Sequence, residues 1–175
     1  MKELNISLQD TQWDFTYTDH DRDIVRAIVI DNEENYYFVR VERDDDFGKA
    51  TLIETAGGGV ESGENLEEAI VRELKEELGV EVEIITKLGV VKDFYNLIHR
   101  RNINNYYLCK IKSFGEKEMT DSEINDFHLS TLKLTYEEAR REYVKCSNTR
   151  LGKLIADREI LVLEHATKIL ENEIY

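Results

Sequence analysis

Cysteine is rare and proline is missing from this chain, whose 175 residues include two cysteines and no proline. Cys109 and Cys146 lie far apart and lack the short spacing of paired metal ligands, so we expect buried or free thiols rather than a disulfide. No apolar run reaches the length of a transmembrane helix. Residues 1–5 lack the apolar segment of a secretion signal. These absences predict a cytoplasmic protein without a membrane partner.

Positive charge is also scarce. The chain has 23 Lys and Arg residues against 37 Asp and Glu residues, and its formal net charge is −14. Such a chain is unsuited to DNA or RNA polymers, which favour a basic surface. A small phosphorylated substrate remains compatible, because bound cations reverse the local field. The length and a hydrophobic fraction of 41% predict one domain over residues 1–175 with a substantial core.

Residues 57–80 join a run of three glycines to a segment rich in glutamate. Asn65 is a favourable N-cap, and Glu68 stands where a capping box requires an acid. Gly79 suits the left-handed residue that ends a helix. We therefore predict a helix at residues 66–78. Its buried stripe is formed by the apolar residues at helical spacing, which are Leu66, Ala69, Ile70, Leu74 and Leu78.

Three glutamates of this helix are placed unfavourably for a surface. Glu73, Glu76 and Glu77 stand at i, i+3 and i+4, so their carboxylates converge, and the helical period turns Glu73 and Glu77 toward the buried stripe. Unpaired carboxylates near a core are costly, and acids in the last turns oppose the helix dipole. A divalent cation would offset these costs, and all-oxygen ligands favour Mg²⁺ or Mn²⁺. The alternative is a solvated acidic helix.

The whole segment resembles the Nudix box. In that pattern two glycines, one separate glutamate, an Arg-Glu pair, a Glu-Glu pair and two aliphatic positions recur at fixed spacing. The fixed positions are filled here by Gly58, Glu64, Arg72, Glu73, Leu74, Glu76, Glu77, Gly79 and Val80. Matches at this many fixed spacings are far more specific than a lone glycine motif. The box covers residues 58–80, and the flanking strand pattern extends the likeness more loosely over residues 22–145.

The resemblance implies a hydrolase that cleaves the diphosphate linkage of a nucleoside diphosphate joined to another group. It implies that Glu73, Glu76 and Glu77 bind Mg²⁺ or Mn²⁺, with Glu64 nearby and with Arg72 orienting Glu73 as part of the catalytic set. The metal ligands would also include the Gly57 carbonyl and an acid from a later loop. For that acid we favour Glu123, with Glu116 and Glu118 as alternatives. The turn that contains Gly57 and Gly58 would let the backbone approach the phosphates closely.

Strands interleaved with helices predict an α/β layered domain, which the resemblance narrows to a Nudix-type α/β/α sandwich with a mixed sheet between helices. We expect an N-terminal extension over residues 1–22, with a short strand around Trp13, Phe15 and Tyr17 that serves either as an added edge strand or as a dimer contact. The predicted strands cover residues 23–30, 36–41, 52–55, 81–85, 89–91, 106–111 and 127–132. The predicted later helices cover 136–144 and 149–172. The predicted loops cover 43–49 and 113–125, the latter as a mobile lid, and residues 92–103 are expected to form a loop or an edge region.

The dense basic patch of Arg100 and Arg101 is a candidate for binding substrate phosphate through forked donors; the alternative is a solvated loop. The predicted N-terminal strand and C-terminal helix are each a candidate interface for a homodimer.

Substrate choice within the family stays open. Members that act on ADP-ribose often carry a proline beyond the box, which this chain lacks, and members that act on dinucleoside polyphosphates often carry a tyrosine there, near Tyr95. We favour a nucleoside triphosphate, as in MutT-like pyrophosphohydrolases. The alternative function is a non-catalytic Nudix-like sensor of a nucleotide ligand, and a third is an acidic structural domain whose glutamates are merely solvated.

Overall fold

The computed structural model describes residues 2–173. Eight strands form one mixed sheet, ordered β1-β6-β7-β2-β3-β4, with β5 paired to β2 and β8 paired to β3. The pairs β1–β6 and β2–β7 are parallel, and the other pairs are antiparallel. The strands are β1 (Leu4–Leu8), β2 (His20–Ile30), β3 (Tyr36–Asp45), β4 (Gly48–Glu54), β5 (Ala56–Gly59), β6 (Val80–Tyr95), β7 (Arg100–Phe114) and β8 (Ser130–Leu134).

Helices cover both faces of this sheet. They are α1 (Leu66–Leu78), α2 (Asp121–Asn125), α3 (Tyr136–Cys146) and α4 (Arg150–Glu173), with a 3-10 turn at Asn96–Ile98. α1 packs on one core through Ile70 and Leu74, and α3 and α4 pack on a second core through Tyr143 and Ile155. The observed mixed sheet between helices confirms the predicted Nudix-type α/β/α sandwich.

Strand β2 shows why the sheet is buried on both sides. Its residues Ile24, Val25, Ala27 and Ile28 are at most 2% exposed, so successive side chains reach opposite cores. β2 lies between β7 and the strands β3 and β5. Arg26 is therefore set among buried neighbours, whereas residues 20–23 at the start of β2, including Arg22, are exposed.

The N-terminal prediction was right about an added edge strand and wrong about its position. The strand is β1, which pairs in parallel with β6 from Leu4 to Leu8, whereas Trp13, Phe15 and Tyr17 lie in irregular structure. Trp13 packs edge-on against Phe47, with ring centroids 5.4 Å apart. β2 also begins within the supposed extension, so residues 1–22 include part of the sheet.

Two predicted loops are mostly strand. Residues 43–49 contain the ends of β3 and β4, which are joined by a tight hairpin. Residues 92–103 contain the end of β6 and the start of β7, joined by the turn Asn96–Ile98. The charged residues in these segments interrupt the apolar alternation that marks a strand, so the sequence suggested loops. In the folded chain several of those charges are paired with residues on other elements, which allows them to lie within strands. The region 113–125 carries the end of β7 and the helix α2. β8 (Ser130–Leu134) overlaps the predicted strand 127–132, beginning three residues later and ending two residues later.

Both cysteines are free and buried, as expected. Burial raises the pKa of the Cys109 thiol to about 12, which leaves it protonated and unreactive at neutral pH. Among residues 2–173, no helix is long and apolar enough to cross a membrane.

Candidate active site

Helix α1 begins and ends where its capping residues predict. The Asn65 side chain accepts from the Glu68 backbone N–H at 2.8 Å, and the Glu68 carboxylate accepts from the Asn65 backbone N–H at 3.2 Å. At the other end Gly79 adopts φ 67° and ψ 32°, the left-handed conformation. These caps fix the rotation of α1, and with it the direction in which each glutamate points.

Two of the glutamates are turned inward, as the helical period predicts. Glu73 is 8% exposed and Glu77 is 7% exposed, whereas the side chain of Glu76 is 27% exposed. The Gly57 backbone N–H donates to Glu77 Oε2 at 3.2 Å. Among residues 2–173, Glu77 forms no ion pair with a basic side chain. The deepest acid of the helix is therefore held by the glycine turn alone.

Burial and neighbouring charge make these acids reluctant to ionise. Burial raises the pKa of Glu73, although its pair with Arg72 opposes the rise. Burial raises the pKa of Glu77 well above its ordinary value, and the charges of Glu73 and Glu123 add to the rise. A cation placed between these carboxylates would reverse both effects.

Arg72 organises the rest of the cluster. Its Nε and Nη2 donate to both oxygens of Glu64 at 2.7 and 2.9 Å, and its Nη1 donates to Glu73 at 3.0 Å and to Glu76 at 3.2 Å. The fifth contact runs from Nη2 to the Gly59 carbonyl at 3.1 Å. The hydrogen bond from Arg72 lowers the pKa of Glu64 to about 2. One forked donor thus ties three carboxylates to the glycine turn.

Glu123 comes from the opposite side of the site. It lies on α2, where its carboxylate accepts from the Thr120 backbone N–H at 2.8 Å in a second capping box. It lines the same cavity as Glu77, so the structure brings together the two acids that the sequence placed on separate elements. Glu116 and Glu118 are exposed and do not line that cavity.

The cavity beside Glu77 has a volume of about 290 Å³. One part of its wall is apolar, with Ile24, Val39 and Leu129, and another part is basic. The remaining lining residues are Arg22, Arg26, Val41, Arg43, Phe47, Glu54, Thr55, Gly57, Gly58, Tyr95, Ile98, Arg100, Glu123 and Phe127. A concave site with an apolar wall and a few charged groups is the usual form of a small-molecule site.

The structure separates the two arginines of the predicted basic patch. Arg100 lines the cavity, and its guanidinium lies 5.4 Å from the centroid of the Tyr95 ring. Arg101 faces away and pairs with Asp21 at the surface, with Nε to Oδ1 at 2.9 Å. Neighbouring residues of a strand point to opposite faces, so only Arg100 keeps the predicted location.

Sequence reasoning missed Arg22, Arg26 and Arg43 as cavity residues. Arg43 pairs with Asp45 at 2.8 Å and lies between two aromatic rings, 5.3 Å from the Phe47 centroid and 5.6 Å from the Phe127 centroid. The available signal was the i, i+2, i+4 spacing of Arg22, Ile24 and Arg26, which places all three on one face of β2.

Comparison with known proteins decides the family. The family model described as the NUDIX domain matches residues 20–146, well over half of the chain. The chain belongs to the Nudix family. It is accordingly a hydrolase that acts on phosphorus-containing acid anhydrides, and the family acts on small nucleotide substrates.

Solved structures support the same fold at low sequence identity. A NUDIX hydrolase from Nitrosomonas europaea is 19% identical with a TM-score of 0.58, covering 70% of this chain and 78% of that one. A MutT NUDIX hydrolase from Burkholderia pseudomallei is 20% identical with a TM-score of 0.55, covering 67% and 85%. The E. coli ORF135 protein is 21% identical with a TM-score of 0.56, covering 85% and 90%. None of the curated proteins compared with the chain matches it.

Nudix hydrolases generally need divalent cations, and the donor set of this Nudix protein suits them. Within the described residues no three Asp, Glu, His or Cys side chains form a ready-made metal cage, because Arg72 engages Glu73 and Glu76. The fit lies in the chemistry of the ligating atoms. Glu77 is a buried acid with no basic partner among residues 2–173, and the other acids that line its cavity, Glu54 and Glu123, offer carboxylate oxygens. Hard cations select such ligands.

The raised pKa values predict a pH-dependent stability in the Nudix protein without metal. Acids whose pKa is higher in the folded state contribute stability that is fully present below their unfolded pKa, about 4.3. That stability is lost as pH rises through the folded pKa. We expect the melting temperature of wild type to fall relative to Glu77→Gln as the pH rises from about 4.3 into the alkaline range in EDTA.

This expectation is checked by thermal melts of the two proteins in EDTA across that range. Added Mg²⁺ should narrow the gap at the alkaline end. A gap that stays constant with pH would contradict the raised pKa of Glu77.

Proposed function

We propose that this Nudix protein is a Mg²⁺- or Mn²⁺-dependent pyrophosphohydrolase of nucleoside triphosphates, working in the cytoplasm. The main support for the proposal is the pair of inward-turned acids, Glu73 and Glu77, next to the glycine-rich strand β5. Glu77 and β5 border the cavity that is lined by arginines. In the proposed reaction water adds to phosphorus, the bridging P–O bond breaks, and a nucleoside monophosphate and pyrophosphate leave. The apolar and aromatic wall would take the nucleoside.

In this proposal Glu73, Glu76 and Glu77 hold the cations, assisted by Glu64, Glu123 and the Gly57 carbonyl. The bound cations would supply positive charge to the non-bridging phosphate oxygens, which is the main requirement of phosphoryl transfer.

Arg72 positions Glu73 through the hydrogen bond at 3.0 Å. A carboxylate that is not engaged by a cation accepts the proton of the attacking water. The absence of a side chain at Gly58 makes room for the Glu73 carboxylate, because a Cβ at position 58 would lie 2.5 Å from Glu73 Oε1.

The test is a substrate panel with purified protein in Mg²⁺ and in Mn²⁺. The panel contains nucleoside triphosphates, nucleoside diphosphate sugars, ADP-ribose and dinucleoside polyphosphates, and the products are separated by ion-exchange chromatography. We expect metal-dependent release of a nucleoside monophosphate, fastest with a triphosphate. Ligand-dependent melting shifts without any product would overturn the proposal in favour of a nucleotide sensor.

A further inference from the structure

Three arginines lie together on the face of the sheet that borders the cavity. Arg22 and Arg26 are on β2, two alternations apart, and therefore share a face. In the parallel β2–β7 pair, Arg22 is in register with Asn102, and Arg100 lies two residues before Asn102 on the same face of β7. All three arginines line the cavity. The topology of two adjacent strands thus gathers them from two distant parts of the chain.

None of these three arginines has an acidic partner among residues 2–173. Arg26 donates only to neutral oxygens, Nε to Asn104 Oδ1 at 3.2 Å and Nη1 to the Thr55 carbonyl at 3.3 Å. Arg100 donates to Asn102 Oδ1 at 2.7 Å. Glu54 lines the same cavity and lies near Arg22 and Arg26, but the charges of Arg22 and Arg26 still act against that of Arg100. An anion bound among the three guanidinium groups would relieve this repulsion.

Several other arginines of the chain form ion pairs with acids. Arg72 binds Glu64, Arg101 binds Asp21 and Arg158 binds Asp93. The chain carries 37 acids against 23 basic residues, so an unpaired basic cluster goes against the overall balance of charge. A cluster of arginines that line a cavity and form no ion pair is suited to an anionic ligand.

The cluster lies directly beside the strand that carries the glutamate contacts. Arg26 is in register with Gly57 in the β2–β5 pair. The Arg22 Nη2 lies 3.3 Å from the position that a Cβ would take at Gly59, just as Glu73 lies against Gly58. Acidic and basic groups therefore flank the same short strand β5. A ligand held by cations at the glutamates is within reach of the arginines.

We propose that Arg22, Arg26 and Arg100 form a subsite for a terminal phosphate of the substrate, a phosphate that lies outside the bond being cleaved. This proposal rests on the proposed function and names the residues that would select a triphosphate over a diphosphate. A nucleoside triphosphate supplies such a phosphate, whereas a nucleoside diphosphate and a nucleoside diphosphate joined to a neutral sugar do not. Guanidinium groups bind phosphate through forked, charge-assisted hydrogen bonds.

The first experiment measures kcat/KM for a nucleoside triphosphate and for the nucleoside diphosphate of the same base. The variants are Arg22→Gln, Arg100→Gln and the double variant, with Arg140→Gln as the matched control, since Arg140 pairs with Glu164 far from the cavity. Each cavity substitution should lower kcat/KM for the triphosphate about tenfold. The value for the diphosphate should change much less, and Arg140→Gln should leave both substrates unchanged.

The second experiment measures binding without turnover. Inorganic tripolyphosphate and pyrophosphate are titrated into the metal-free protein and followed by calorimetry. Wild type should bind tripolyphosphate more tightly, and Arg22→Gln should reduce that preference. Arg22 is solvent-exposed, so this variant is expected to fold even if Arg100→Gln does not.

The outcomes separate this proposal from the proposed function. Equal losses for triphosphate and diphosphate, or unchanged kinetics in an active enzyme, would overturn the terminal-phosphate subsite and leave the hydrolase intact. An arginine-dependent preference for tripolyphosphate in a protein that cleaves nothing in the panel would support the subsite and overturn the pyrophosphohydrolase.

Discussion

Glu77→Gln is expected to lower kcat at least about a hundredfold in saturating Mg²⁺ while leaving the fold intact. The side chain is 7% exposed and has no basic partner among residues 2–173, so its charge has no evident structural purpose. The amide is nearly the same size and can still accept from the Gly57 N–H, which now donates at 3.2 Å. What the substitution removes is the charge that would face a cation.

The same variant should be at least as stable as wild type in EDTA, because it removes the repulsion between Glu77 and the charges of Glu73 and Glu123. Glu67→Gln is the matched control: Glu67 is exposed in the first turn of the same helix. Steady-state kinetics and thermal melts of both variants test the prediction. Near-normal turnover in Glu77→Gln would refute its assigned role.

The local part of this site was predictable from sequence. Capping and helical spacing fixed α1 at residues 66–78 and turned Glu73 and Glu77 inward, because both signals act within one or two helical turns. The structure has the same bounds and the same burial. The box spacing likewise led to the family, which the match over residues 20–146 confirms.

The non-local part was not predictable in this way. Asp93 looks like a loop residue in sequence, but it is 4% exposed within β6 and pairs with Arg158 of α4 at 2.8 Å. Asn102 and Asn104 add hydrogen bonds to Asp93 at 3.1 and 2.9 Å. Such buried polar groups are tolerated only when their partners are in place. Those partners lie on other elements, so the sequence of β6 alone pointed to a loop.

The basic cavity was missed for a related reason. Arg22 and Arg100 are 78 residues apart in the chain and become neighbours only through the parallel register of β2 and β7. Parallel pairing is set by tertiary packing rather than by a local turn. The net charge of −14 also gives no indication of a basic site. The arginines form a cluster only when β2 and β7 pair.

Gly57→Ala is expected to have the largest effect on stability among substitutions in the glycine turn. Gly57 has φ 156°, and a Cβ there would lie 2.0 Å from the Val25 carbonyl oxygen and 2.8 Å from the Arg26 Cα. These are backbone atoms of β2, which is paired on its other side with β7, so the clash cannot be relieved by a side-chain rotation. The free energy of unfolding should fall by about 3 kcal/mol or more.

Urea denaturation tests this prediction, and Gly63→Ala is its control. Gly63 also has a positive φ, 78°, but an added Cβ would meet nothing within 4 Å, so we expect a loss of only about 1 kcal/mol. Because the Gly57 N–H donates to Glu77, any folded Gly57→Ala protein should also lose Mg²⁺-induced stabilisation. If Gly57→Ala lost no more free energy of unfolding than Gly63→Ala, β5 would have to shift easily to accommodate the added Cβ. A strand that shifts so easily could not hold Glu77 in place.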